Sequence, residues 1–334
     1  MRRPAVQATL VTLAYAVATW IGLGVLSTPP SVGIIWPATG ILVGALLVLR
    51  DLRPAPVALG AWAGSTALQM GMGSQPVLAA LVSALGVVEA LLIAWALPRV
   101  RGDVRQLSGP ASFVVLSVVA TIGAAVVATP GALVLAAFAP GSAAMDLWLT
   151  WVAGHAIGVM LFTPLWLAWS RPDVVWSQPR STSRTAEAVG AFTVLVGGTA
   201  IVFFNGVGPV EAPALLSLPH QVLPAAVWVA IRFGPRGASL GMAMAALVAV
   251  AGLGLGGGPM RITHELPQDR VLVMQGFVVA LTFGCMLLAI AIEQLRWQEF
   301  QGRMLNIALT DANAVLVHEV AERERSALSL RMLL

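Results

Sequence analysis

The stretch 271-VLVMQGFVVALTFGCMLLAIAIE-293 runs directly into 294-QLRWQEFQGRMLNIALTDANAVLVHEVAERERSALSLRMLL-334, with no proline after Pro267. Its first part is an unbroken apolar run, as long as the roughly 20 residues a helix needs to cross a bilayer. Its second part is charged and keeps a helical pattern to Leu334. A membrane segment that continues into a water-soluble helix predicts an output helix. The rest of the chain is then the device that would move it.

The 334 residues are 58% hydrophobic and 10% charged, with a mean hydropathy of +0.87. That leaves too little polar surface to coat a soluble globule, so the bilayer must be the solvent. All 19 basic residues are arginine. A sequence pI near 10.8 would suggest nucleic acid in a soluble protein, but positive-inside loops account for it and nucleic acid is not expected as a partner. The lone Cys285 lies in an apolar run, so neither a disulfide framework nor a CxxC metal pair is expected. No metal-ligand spacing, Walker loop, Rossmann fingerprint or catalytic triad pattern is present, so the sequence predicts no metal, no cofactor and no enzyme. Met1-Arg2-Arg3 leads into apolar Ala5 to Leu26, a full span followed by Ser27-Thr28-Pro29-Pro30, a poor cleavage site. An uncleaved first helix is expected.

Apolar segments fall at roughly 5–26, 36–50, 55–72, 76–98, 110–138, 146–169, 185–205, 219–233, 235–256 and 270–293. The second and eighth are too short to span comfortably and begin at a proline, which suits re-entrant or discontinuous helices packed inside protein. The expected fold class is all-α: a polytopic transmembrane helical bundle of about ten segments over residues 1–293, then a cytoplasmic signalling helix or coiled-coil linker over 294–334. With the N-terminus in the cytoplasm, all arginines but Arg261 and Arg270 fall inside. Both ends of a multi-pass protein are therefore expected in the cytoplasm.

The chain also echoes itself. Trp36-Pro37 to Arg50, then Arg53-Pro54 and Gly60, runs parallel to Leu218-Pro219 to Arg232, then Pro235-Arg236 and Gly241. Segments 1–4 and 7–10 are either parallel repeats, as in transporters, or chance likeness in a chain rich in Ala, Val, Leu and Gly.

Glu89 sits near the centre of the fourth segment, where an ionised carboxylate costs about 2.5–3.5 kcal/mol on insertion scales. It is either a hydrogen-bonded strut or part of a site. His155 lies in the sixth segment at a depth within about 5 Å of Glu89 at 1.5 Å rise per residue, so the two could pair. Trp148, Trp151, Phe162 and Trp166 share its helical face, as interfacial anchors or as a ligand cage. Trp36, Pro37 and Thr39 open the short second segment, whose free N–H groups would face an anion or polar ligand if its start is sunk in the bundle. His220 holds the corresponding place in the second half. An unknown small-molecule ligand near Trp36, Pro37, Thr39, Glu89, Trp151, His155 and His220 is the expectation. The loop Gly256 to Arg270, with Arg261, His264 and Glu265, is the one strongly charged external loop, either a contact surface or simply solvated.

In the tail, Asn306, Asn313, Val320, Ala327 and Leu334 fall at heptad position a, with Leu309, Leu316, Arg323 and Leu330 at d. Asn at a favours a parallel pair, so a homodimer through this coiled coil is expected. Glu293, Asn306, Asn313, Leu316 and Val320 are the candidates for signal transmission. His318-Glu319 faintly resembles a phosphoacceptor box, but lacks the following Arg and Pro and falls at the outward f position.

These residues together resemble the MASE1 family, integral membrane sensor domains placed ahead of bacterial histidine kinases and diguanylate cyclases. The resemblance is carried by Trp36-Pro37-Ala38-Thr39-Gly40, by Arg53-Pro54 to Gly60-Ala61-Trp62, by Gly154 to Pro164, by Arg232 to Gly237, and by Glu293 at the start of the tail. It covers roughly residues 10–295. The family is usually described with eight helices against the ten counted in this sequence, and His155 stands where an acidic residue is expected after Gly154. The resemblance implies sensing in the bacterial cytoplasmic membrane and transmission to a cytoplasmic kinase, PAS or cyclase output, with a transporter-like membrane partner in one branch. No effector follows within the sequence, so the chain is either truncated or acts in trans. A solute transporter or channel built from parallel repeats is the alternative.

Overall fold

The computed structural model describes residues 2–24, 27–28, 32–49, 52–102, 107–138, 141, 143–170, 182–207, 218–259 and 267–333. Arg50, Arg105, Arg171, Arg180, Arg261, His264 and Glu265 lie outside them, so the expected loops are described only in part. Two compact units divide the chain, Met1–Ala291 and Ile292–Leu334.

The elements are α1 (Arg2–Gly24), a two-residue antiparallel pair β1 (Ser27–Thr28) and β2 (Val32–Gly33), α2 (Pro37–Val48), α3 (Pro54–Gly71), α4 (Pro76–Val100), α5 (Pro110–Phe138), α6 (Ala144–Trp169), α7 (Thr182–Phe203), a 3-10 turn (Pro219–Val222), α8 (Leu223–Gly254) and α9 (Pro267–Leu333). Proline opens α2, α3 and α4, where its missing N–H costs nothing and its fixed φ starts the helix. Seven helices among the described residues are long and apolar enough to cross a membrane, α1 and α4 through α9. The chain is an all-α, multi-pass membrane protein.

The separate eighth and ninth segments expected from the sequence meet at Gly234 as the two halves of α8, two helices joined by a sharp kink. Gly234 has φ 60 and ψ −159, a conformation open to glycine, and Pro235 cannot supply the helical N–H. A Cβ on Gly241 would lie 3.2 Å from Val229, although in a straight helix those positions would be about 18 Å apart. The two halves of α8 therefore fold back on each other. Arg232 on the bend forms a bidentate pair with Glu187 of α7 at 2.5 and 2.6 Å, and Arg236 donates to the Ala168 carbonyl at the end of α6 at 2.9 Å.

α2 lies against α6 with backbone touching backbone. A Cβ on Gly40 would land on the Gly158 carbonyl, and one on Gly158 on the Trp36 carbonyl. The Trp36 N–H donates to the Gly154 carbonyl at 3.0 Å, which sets the start of α2 about 15 Å along α6 from Ala144 at 1.5 Å per residue. The short second segment thus begins inside the bundle. Most of α2 is buried, so its brevity exposes no broken helix end to lipid.

On α9, Val271, Met274, Gln275, Val278, Thr282, Cys285, Met286, Ala289 and Ile290 are all buried, one face at alternating three- and four-residue spacing. Phe283 meets Phe113 of α5 and Phe277 meets Phe203 of α7. In the second unit, residues 292–333 are helical and most of their described side chains are exposed, with i,i+4 pairs Arg303–Glu299 and Arg323–Glu319 at 3.3 and 2.7 Å. Asn306, Leu309, Asn313, Leu316 and Val320 all lie exposed on it.

Candidate functional site

Where α2 begins, five of the expected site residues meet. His155 of α6 is stacked between two indoles: Trp36 with ring centroids 5.5 Å apart and planes at 2°, and Trp151 at 4.8 Å and 23°. His155 Nδ1 lies 2.9 Å from Oε2 of Glu89 on α4, the distance of a charge-assisted hydrogen bond. The Trp151 indole N–H donates to the same oxygen at 3.1 Å. Glu89 is fully buried and His155 nearly so, so the intramembrane carboxylate is paired, as its cost demands. The Thr39 hydroxyl sits 3.3 Å from His155 Nδ1 and holds the ring from the α2 side.

This cluster is the floor of a cavity of about 310 Å³, within the size range of small-molecule sites. The cavity is lined by Tyr15, Trp36, Trp151 and His155 at its base, by Ser65, Gln69, Ser83 and Gly86 along α3 and α4, and by Met72, Gly73, Ser74, Gln75 and Phe138 near the helix ends. Those ends belong to α3, α4 and α5 on the side away from Arg53, Arg99 and Arg101. Along the wall, Gln69 Nε2 donates to Ser65 at 3.3 Å and Ser83 at 2.8 Å, and Ser83 donates to Ser65 at 3.0 Å. A buried polar network of this kind fixes α3 against α4. Glu89 Oε1 and the Trp36 indole nitrogen are buried without a hydrogen-bond partner.

The remaining expected residues divide. Pro37 and Thr39 do not line the cavity; they shape its floor from behind, and the start of α2 is covered by Gly154 and Gly158 of α6. Trp148 bonds the Ala125 carbonyl of α5 at 3.3 Å and Trp166 packs on Gly44, so neither joins Trp151. His220 is exposed on the 3-10 turn and is not part of this site. Asn306, Asn313, Leu316 and Val320 lie in the second unit, and Glu293 is half-buried near its start.

The sequence reading passed over Tyr15, Ser65, Gln69, Ser83 and Gln275. Gln275 Nε2, on α9, donates to the Ile34 carbonyl at 2.9 Å and the Thr150 carbonyl at 3.1 Å. Both acceptors border the histidine stack, Ile34 two residues before Trp36 and Thr150 just before Trp151. The signal was available, since each is a polar side chain inside an apolar run, and such residues usually face the bundle interior.

The MASE1 family profile matches residues 7–296 of the chain. No curated protein and no solved structure matches it. The chain belongs to the MASE1 family, a family of membrane-associated sensor domains.

Proposed function

We propose that this MASE1 chain is the input half of a signalling protein of the bacterial inner membrane. Its pocket opens to the outside, a small molecule occupies it, and occupancy changes the set of α9. The tail then carries the change as a parallel dimeric coiled coil to a cytoplasmic histidine kinase, PAS or diguanylate cyclase output. A membrane sensory role is what the family supplies; the route from pocket to output is the reading added to it.

The observation that carries this reading is Gln275. It is the polar side chain by which α9 holds two backbone carbonyls beside the histidine stack, so a shift of the Trp36 or Trp151 backbone pulls on the helix that leaves the membrane. The exposed Asn306, Asn313, Leu316 and Val320 supply the register and seam of a parallel pair.

The test is to fuse a diguanylate cyclase after Leu334 and measure its product in cells. The bundle should set the output level, and Gln275→Leu should hold it at one level whatever the growth medium. Unchanged output after deletion of residues 1–260 would sink the proposal. Solute uptake by reconstituted vesicles would instead support a transporter.

A further inference from the structure

We infer that the pocket takes a small uncharged ligand rich in hydroxyl oxygens, of the polyol class; the inference rests on the sensory reading of the same site. Four features of the cavity lead there. Among its described lining residues there is no arginine, lysine, aspartate or glutamate. Glu89 lies beneath the floor with Oε2 taken by His155 and Trp151. A charged ligand would therefore meet no arginine, lysine or free carboxylate side chain on the described lining of a buried site, which is strongly unfavourable.

The indoles exclude a second class. Trp36 and Trp151 are 7% and 2% exposed. Each has one face on His155, while the backbone at Gly22 and Gly33 closes on the Trp36 ring and that at Gly131 on the Trp151 ring. Neither ring offers the open face that an aromatic cage for quaternary ammonium requires. What Trp36 does offer is its edge: an indole N–H that faces the Tyr15 hydroxyl but makes no hydrogen bond of ordinary geometry. A Cβ built on Gly86 would lie 3.9 Å from that nitrogen and 3.3 Å from the Tyr15 hydroxyl, so the two polar groups converge where α4 carries no side chain.

The wall completes the set. Gln69 gives its amide hydrogens to Ser65 and Ser83, and Ser83 gives its own to Ser65. That leaves the Ser65 hydroxyl hydrogen as a donor and the Gln69 carbonyl oxygen as an acceptor. A ligand must therefore accept at Trp36 and both donate and accept along α3. Neutral hydroxyl groups do both, phosphate meets no arginine or lysine on the described lining, and tetramethylammonium can do neither.

The experiment uses the full chain in lipid nanodiscs with Ser74→Cys at the pocket mouth, the native Cys285 being buried. The rate of labelling by a hydrophilic maleimide is measured with glycerol, glucose, tetramethylammonium or inorganic phosphate present. An Ala312→Cys chain, labelled on the exposed tail, reports any general effect of the additive. Glycerol or glucose should slow labelling at position 74 several-fold and leave position 312 unchanged. The protection should vanish in Trp36→Phe, which keeps an aromatic ring but loses the N–H, and weaken in Ser65→Ala, which leaves the stack untouched. Protection by tetramethylammonium or phosphate, or by none of the four probes, overturns the assignment. The cyclase fusion separates the two readings. Output that follows a charged probe removes the ligand class and keeps the sensor, whereas protection by polyol with unmoved output does the reverse.

Discussion

Trp36-Pro37 and Leu218-Pro219 open two stretches that read alike, a proline, a short apolar helix, an arginine and a turn into the next helix, yet the structure uses them differently. The first starts about 15 Å along α6 by helix rise, with Trp36 stacked on a buried histidine. The second starts on an exposed 3-10 turn with His220 facing outward. Beyond the starts the contrast continues. Around α2 the interior holds Glu89, His155, Thr39 and the Ser65–Gln69–Ser83 network, whereas α7 and α8, apart from the Arg232–Glu187 pair at the bend, meet through close backbone and apolar contacts such as Gly252 on the Phe203 carbonyl and Gly241 on Leu195. A helix start becomes a site when a neighbouring helix is slim enough to let it sink, and Gly154 and Gly158 make α6 that neighbour. The motif alone does not decide it.

The contrast can be broken at its root. Gly158→Ala puts a methyl on the Trp36 carbonyl, where no side chain can yield, and should destabilise the protein by about 3 kcal/mol or more; thermal unfolding in detergent measures it. Gly197→Ala, which meets nothing within 4 Å, should leave the melting temperature in place. Glu89→Ala removes the acceptor shared by His155 and Trp151 and should cost about 3 kcal/mol, as expected when one partner of a buried pair is lost. Glu89→Gln, which keeps an acceptor, should cost less in the same melt. Equal losses from the two substitutions would show that the carboxylate's charge, not its hydrogen bonding, holds the floor. Gln275→Leu leaves the Ile34 and Thr150 carbonyls without their donor, a loss of about 1–3 kcal/mol, and should abolish the response of the fused cyclase. At the other end of the scale, His220→Ala on the exposed turn should stay within about 0.5 kcal/mol and leave output unaltered. A strong effect on output would place a site in the second half after all.

The sequence was most legible where burial and charge leave few choices. Apolar run lengths located the spans, and the depths of Glu89 and His155 put two titratable groups close enough to pair. It was less legible where the outcome depends on which helix lies next door. Residues 219–256 read as two segments because Gly234-Pro235 breaks periodicity, and the kink there does separate two helices; that they fold back on each other is visible only in the backbone. Trp148, Trp151 and Trp166 share a face on a helical wheel, but α5 takes the first, Glu89 the second and Gly44 the third. Gln275 and Ser83 drew no attention because one amide or hydroxyl hardly changes the hydropathy of its run. Their weight comes from the partners they find: the carbonyls of Ile34 and Thr150, and the amide of Gln69.

The backbone contact between α2 and α6 has a consequence for how such a receptor can diversify. Positions 40 and 158 admit no side chain, and Trp36, Trp151 and His155 brace one another, so nearly any change to the floor disturbs the whole assembly. Ser65, Gln69 and Ser83 stand apart on α3 and α4 and can be exchanged without touching that floor or Gln275. Ligand choice and signal relay are then separable traits, and exchanging Ser65, Gln69 and Ser83 between receptors, with Glu89 of α4 kept, should retune what is detected while leaving intact how detection is reported.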